Sequence, residues 1–173
     1  MAITDKRLDQ AQLKKFLSYD PETGVFIRVA TSSLKTRRHI GEIAGYITSN
    51  GYWVIAIEHK RNRFRAHRLA WLFMTGKWPE NDIDHINGDR LDNRWINLRE
   101  ATRSQNLGNS RIPSTNKSGF KGVSFDHVRG KWKAQITLDG VHYFLGRYDE
   151  IEDAIQAYRS ALGGHFGKFA RFE

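Results

Sequence analysis

Asp84 and His85 stand side by side, and asparagines follow that histidine at 12 and 21 residues, Asn97 and Asn106. These residue types suit the hydrolysis of a phosphodiester bond. A neutral imidazole that titrates near neutral pH can take a proton from water. A hard divalent cation held by oxygen ligands can stabilise the oxygen that leaves. Asp84 offers an anionic oxygen and Asn106 a carbonyl oxygen, a ligand set suited to Mg²⁺ or Mn²⁺ with water and phosphate completing it. Taken singly, an Asp-His pair is equally compatible with a surface contact, and an asparagine beside glycine or arginine with turn chemistry.

The surrounding pattern predicts a strand, a loop, a second strand and a helix. At a strand end, Asp84 and His85 point to opposite sides, which separates ligand from base. Asn87-Gly88-Asp89 is a turn, Leu98–Ala101 is β-compatible, and Thr102 or Ser104 can cap a helix that carries Asn106. Such a unit would bring Asp84 and Asn106 together and leave Asn97 to bond loop backbone, orienting His85. Upstream, Leu8–Leu17 fits a short helix, and Asp20-Pro21-Glu22-Thr23-Gly24 is a turn. Val25–Val29 and Tyr46–Glu58 are β-rich, the latter broken by Ser49-Asn50-Gly51. His67–Thr75 is helical in pattern, with Gly76 as terminator.

The whole chain is basic: 28 Lys and Arg against 19 Asp and Glu over 173 residues, a net charge of +9. That excess favours a phosphate-bearing partner. Six net positive charges lie before residue 111 and three from there on, so both halves share it. The absence of cysteine excludes disulfides and thiolate zinc sites. No apolar run approaches a membrane span, and the N-terminal residues are too charged for a secretory signal. A cytoplasmic location is the expectation.

The runs AHRLAWLFMTGKWP (Ala66–Pro79) and DHINGDRLDNRWINLREATRSQNLGN (Asp84–Asn109) resemble the HNH endonucleases of phages, including homing enzymes. The resemblance spans roughly residues 8 to 109. It implies a ββα-metal fold in which His85 is the general base, Asp84 and Asn106 bind the metal, and Asn97 orders the loop. Asn106 stands where many members carry histidine, an H-N-N variant. His67 and Arg68 match a recurrent part of the pattern; Arg68 either contacts the scissile phosphate or makes a salt bridge at a helix start. Asn93 and Arg94 shape the loop, Arg94 or Arg99 touches backbone phosphate, and Trp71, Trp78 and Trp95 read as scaffold.

Residues 110–118 are polar and aperiodic and read as a linker. Beyond it, Lys131, Lys133, Gln135 and Thr137 alternate with Trp132, Ala134, Ile136 and Leu138. Asp139-Gly140 turns the chain into Val141–Leu145. A helix is expected to start at Asp149 with a capping box to Glu152 and to end at Gly163. Gly119–Tyr158, through KGV, GKWKAQI and FLGRYD, resembles the AP-two (ethylene-response-factor) DNA-binding domain, which implies a three-stranded sheet in the DNA major groove. Fewer arginines occupy that face than in plant members. The candidate DNA-binding residues are Lys121, Ser124, Lys131, Lys133, Gln135, Thr137, His142 and Phe144, with Arg111 and Lys117 in the linker.

The fold expected is therefore α+β: an HNH ββα-metal domain with a β-rich N-terminal extension (1–109), a linker, and a sheet-plus-helix DNA-binding module (119–173). The function expected is a Mg²⁺- or Mn²⁺-dependent endonuclease acting on double-stranded DNA. One site per monomer predicts a nick with 5′-phosphate and 3′-hydroxyl ends, and a dimer for a double-strand break. The alternative is a non-catalytic DNA-binding regulator on an HNH scaffold.

Overall fold

The computed structural model describes residues 8–31, 39–57, 62–110, 112 and 116–170. It divides into two compact units, Met1–Glu100 and Ala101–Glu173.

In the first unit, α1 (Gln10–Phe16) opens on a capping box: Asp9 accepts from Gln12 N, and the Gln12 side chain accepts from Asp9 N. Leu13 carries α1 into the core, and the chain passes directly into β1 (Leu17–Tyr19). β1 pairs antiparallel with β2 (Phe26–Arg28) around the Asp20–Gly24 turn, where the Asp20 carboxylate accepts from Glu22 N and Thr23 Oγ1. Gly24 has φ +75°, and a Cβ there would lie 2.4 Å from the Asn93 carbonyl carbon. Only glycine lets the turn sit this close to that loop.

A second sheet joins β3 (Tyr46–Ile47), β4 (Trp53–Ala56) and β5 (Arg63–Arg65) in antiparallel order. Glu58 and residues 59–61 lie outside the described residues. β5 runs straight into α2 (Ala66–Thr75), which ends at Gly76 in the left-handed region with its N–H on Leu72 O. Leu69 and Leu72 of α2 bury against Leu13, Leu17, Phe26, Ile55 and Ile57. Trp71, Trp78 and Trp95 pack around this core; Trp78 stacks on Phe64 and donates from Nε1 to Leu8 O at 2.8 Å. β6 (Asp82–His85) pairs with β7 (Leu98–Ala101) across a loop that closes with a 3-10 turn, Trp95–Asn97.

In the second unit, α3 (Arg103–Gly108) starts from Thr102, whose hydroxyl accepts from Gln105 N while the Gln105 side chain accepts from Thr102 N. A three-stranded antiparallel sheet follows, ordered β10-β9-β8: β8 (Val123–Asp126), β9 (Lys131–Leu138) and β10 (Val141–Tyr148). Asp139 and Gly140 both have positive φ, the backbone of a two-residue hairpin turn. Ala134 and Ile136 bury, and α4 (Ile151–Phe166) covers them with Ala154, Leu162 and Phe166.

Two sequence expectations for α4 need correction. The helix does not end at Gly163 but at Phe166, because Leu162 and Phe166, four residues apart, continue the buried stripe. Nor does Asp149 form a capping box with Glu152. Glu150 is the N-cap without a side-chain bond, and Asp149 is drawn to Lys131 at 3.0 Å.

The last residues of the segment read as a linker, 116–118, are held by hydrogen bonds. Asn116 Oδ1 accepts from Gly119 N, and Ser118 Oγ donates to Val123 O at 2.6 Å, so residues 116–118 fold onto the start of β8. Within the same unit, Ala101 joins the apolar cluster of Ile136, Leu162, Phe166 and Phe169, and the Phe166 ring lies against Gly108, where a Cβ would meet it at 3.0 Å. Residues 101–109 thus pack with the C-terminal half. Among the described residues, no helix is long and apolar enough to cross a membrane.

Candidate active site

β6 carries Ile83, Asp84 and His85 into the unit, all three buried; Asp84 and His85 are each 5% exposed. Burying two ionisable neighbours costs free energy unless they are paired. Arg99 on β7 supplies one pairing, with Nε and a terminal nitrogen both 2.8 Å from Asp84 Oδ2. Asn93 supplies another. Its Nδ2 donates to Leu91 O at 3.1 Å, which fixes the amide so that Oδ1 faces His85 Nε2 at 3.3 Å. An oxygen there requires a proton on Nε2. The lone pair of the neutral ring then resides on Nδ1, the nitrogen that can accept a proton.

Burial pushes the His85 imidazole below the ordinary histidine range. The Asn93 bond and the carboxylates of Asp84, Asp89 and Asp92 oppose that shift without cancelling it. His67 of α2 meets His85 edge-on, with ring centroids 4.9 Å apart. At 3% exposure its imidazole is driven well below the usual range by burial first, and then by the charges of His85, Arg65 and Arg68. Both imidazoles are therefore neutral at neutral pH, the state in which His85 can act as a base.

Asn97, also buried, closes the loop. Its Oδ1 accepts from Asn87 N at 3.0 Å, its Nδ2 donates to Asp92 O at 2.8 Å, and its carbonyl accepts from Ile86 N at 2.9 Å. Asp92 is gripped by the Arg94 fork at 2.8 and 2.6 Å, which holds its carboxyl down at about 2, and Asn87 Nδ2 adds a third bond. Arg94 and Arg99, one or the other of which the sequence offered as a phosphate contact, thus both have carboxylate partners within the unit. The first hairpin supports the loop from behind: Tyr19 donates its hydroxyl to Asn93 O at 2.7 Å, and Trp95 N donates to Pro21 O at 2.9 Å. Arg68 on α2 is half-buried with its guanidinium over the Trp78 ring.

Asn106 sits in the middle of α3 in the second unit, half-buried, with its N–H on Thr102 O. Among the described residues no group of three or more His, Cys, Asp or Glu converges. An oxygen set of one carboxylate and one amide falls outside that description and still suits a hard cation that keeps most of its water. Asp84 is the carboxylate of such a set, and in this structure Arg99 engages its Oδ2.

The residues read as a DNA face fall on the second unit. Ser124 pairs across strands with Lys133, Gln135 with Phe144, and Thr137 with His142, whose Nδ1 lies 2.8 Å from Thr137 Oγ1. Gln135, Thr137, His142 and Phe144 are exposed. Lys131 is engaged with Asp149, and Lys121 donates to Gly108 O at 2.9 Å. Lys117 and Ser124 line a cavity of about 480 Å³ walled by Phe125, His127 and Trp132. Arg111 lies outside the described residues.

Sequence reasoning missed three features. Asn93 bonds His85 itself, His67 meets the His85 ring edge-on, and Arg147 sits opposite Lys133 with its guanidinium over Phe144. The bulge between Phe144 and Gly146 sets the Arg147 register, and no local residue pattern announced it.

The sequence profile of the HNH endonuclease family matches residues 64–107. Protein 3.8 of Escherichia phage T7 is 35% identical over 109 residues, 62% of this chain and 89% of that protein. An uncharacterized HNH endonuclease of Acanthamoeba polyphaga mimivirus is 30% identical over 127 residues, 72% of this chain and 64% of that protein. A solved structure of DNA binding and cleavage by the HNH homing endonuclease I-HmuI is similar at a TM-score of 0.42 and 19% identity, over 82% of this chain and 76% of that one. The profile falls on the stretch from β5 to α3 that holds His67, Asp84, His85, Asn97 and Asn106, and the chain belongs to the HNH endonuclease family.

Proposed function

We propose that the chain is a metal-dependent DNA endonuclease that cuts one strand of a duplex per binding event. The observation that carries this reading is the neutral, buried His85, held by Asn93 in the tautomer that leaves Nδ1 as acceptor and placed directly beside Asp84. His85 Nδ1 takes the proton from a water molecule, whose oxygen bonds to phosphorus as the P–O3′ bond breaks. The departing 3′-oxygen ends as a hydroxyl and the phosphate stays on the 5′ end. Asp84, with Asn106, would hold a Mg²⁺ or Mn²⁺ ion, which supplies charge stabilisation at the leaving oxygen. Asn97 keeps the loop closed so that His85 and Asp84 retain their aim. The β8–β10 sheet, with Ser124, Lys133, Gln135, Thr137, His142 and Phe144, is the DNA-reading face of an AP-two-like module. Lys117, Lys121 and Lys131 add positive charge in the same unit, and Arg111 is a further basic candidate by sequence.

The test is nicking of supercoiled plasmid with Mg²⁺ or Mn²⁺. Wild type should convert it to the relaxed form, and His85→Ala should lower the rate by roughly 10²–10⁴-fold. A His85→Ala protein as fast as wild type would remove the assignment.

A second reading has one observation in its favour. The Arg99–Asp84 ion pair occupies the carboxylate that the metal needs, as it would in a DNA-binding regulator that has given up catalysis. Absence of any relaxed product from wild type in either metal would favour that regulator.

A further inference from the structure

Two arginines near His85 are left over by the site described above. Arg65 is the last residue of β5, and Arg90 lies in the loop after β6; both are exposed. Their guanidinium carbons lie 4.3 Å and 4.9 Å from the centroid of a single ring, that of Tyr52. Arg90 also donates to Asn50 O at 3.0 Å, which ties it to the turn before β4. Tyr52 in turn contacts His67 at 5.4 Å between centroids, and His67 meets His85 at 4.9 Å. A continuous run of rings thus connects the two guanidiniums to the base within one unit.

Among the described residues no carboxylate pairs with Arg65 or Arg90, whereas Arg94, Arg99, Arg129 and Arg147 all have one. Two like charges gathered on one aromatic repel each other, and the ring's face offsets only part of that. An arriving anion removes the repulsion. A flat guanidinium also presents paired N–H donors that match the two non-bridging oxygens of a phosphate.

We propose that Arg65 and Arg90, held on Tyr52, form a clamp for neighbouring backbone phosphates of the DNA strand that His85 cuts. The inference rests on the DNA endonuclease reading and adds the residues that seat the substrate strand. The clamp touches no reacting atom, so its effect belongs in binding. Arg65 stands at the start of α2 and Arg90 in the loop after β6, so a phosphate held by both would also brace the two segments that flank the His67–His85 contact.

The experiment measures binding of a fluorescent duplex by anisotropy in EDTA, between about 50 and 200 mM KCl. Arg65→Gln and Arg90→Gln should each reduce the slope of log affinity against log salt by about 0.9, and the double variant by about twice that. Lys14→Gln, the same charge removed from α1, should leave the slope unchanged, and all variants should melt at the wild-type temperature. In plasmid nicking, the two arginine variants should raise KM with little change in kcat. Tyr52→Leu, which keeps both charges but frees them, should weaken binding without the full loss of slope. A double variant with the wild-type slope overturns the clamp. So does displacement of the duplex by inorganic phosphate beyond that by chloride at equal ionic strength, since the site would then serve free phosphate. If the wild type binds with an arginine-dependent slope but never nicks, the clamp stands and the catalytic reading falls.

Discussion

Asn93 decides which nitrogen of His85 can act. An alanine there removes the hydrogen bond from His85 Nε2 to Asn93 Oδ1, and with it a preference for the tautomer that leaves Nδ1 as acceptor. Losing such a supporting partner costs roughly 10–100-fold in activity, so Asn93→Ala should fall by that factor in plasmid nicking. The pH profile gives an independent readout. The Asn93 bond raises the His85 pKa against the larger lowering by burial. The acid limb of kcat/KM in the wild type should therefore lie below the ordinary histidine value of about 6.5, and Asn93→Ala should move it to lower pH still. A limb that moved upward would contradict the hydrogen bond. That Asp84, His85 and Asn97 gather around one loop was legible from their spacing. Asn93 was not, because loop-shaping and histidine-orienting asparagines look the same in a sequence; only the Leu91 carbonyl, which fixes the amide, separates them.

At the level of elements, the β1–β2 hairpin buttresses the catalytic loop. The Tyr19 hydroxyl is buried on Asn93 O, and burial raises its pKa first, ahead of the nearby carboxylates of Asp20 and Asp92. Tyr19→Phe leaves that carbonyl without its partner, which costs about 1–3 kcal/mol. Urea denaturation should show this loss, and nicking should slow because the displaced residue is the one that orients His85. α1, the Asp20–Gly24 turn, α2 with its Gly76 stop, and the Asp139-Gly140 turn could be read from short-range signals, apolar spacing and turn residues, whereas the Asp9–Gln12 capping box and β1 were not read. Nor could the end of α4 be read. Gly163 signals a stop, but the burial of Leu162 and Phe166 outweighs the helix penalty of two successive glycines, Gly163 and Gly164, about 1 kcal/mol each. The Asp149 capping box failed for a similar reason, since Lys131 offered that carboxylate a partner from a strand 18 residues away.

On the scale of the whole molecule, residues 101–109 belong with the C-terminal unit although their motif belongs with the N-terminal one. α3 has six residues, too few to persist in water unaided. Its neighbours in that unit are Phe166 over Gly108 and Lys121 on the Gly108 carbonyl. Phe166→Ala opens a cavity in this cluster and should destabilise the unit by about 3–5 kcal/mol, measured by urea denaturation. Because α3 carries Asn106, metal-dependent nicking should fall in parallel. Nicking that survived unfolding of the C-terminal unit would show that Asn106 is dispensable. The sequence placed a boundary after residue 109 because composition changes there, but composition cannot reveal that a phenylalanine 58 positions later rests on Gly108.

That contact also has a consequence in time. A ribosome delivers the N-terminal unit first, whereas the helix bearing Asn106 gains its neighbours one by one, Lys121 on the Gly108 carbonyl, Asp139 N on Ser104 Oγ and last the Phe166 ring over Gly108. On the endonuclease reading proposed above, Asn106 would therefore join the site only once the C-terminal unit has been made. On that reading, synthesis that stopped short of Phe166 would leave the α3 ligand without its last packing partner.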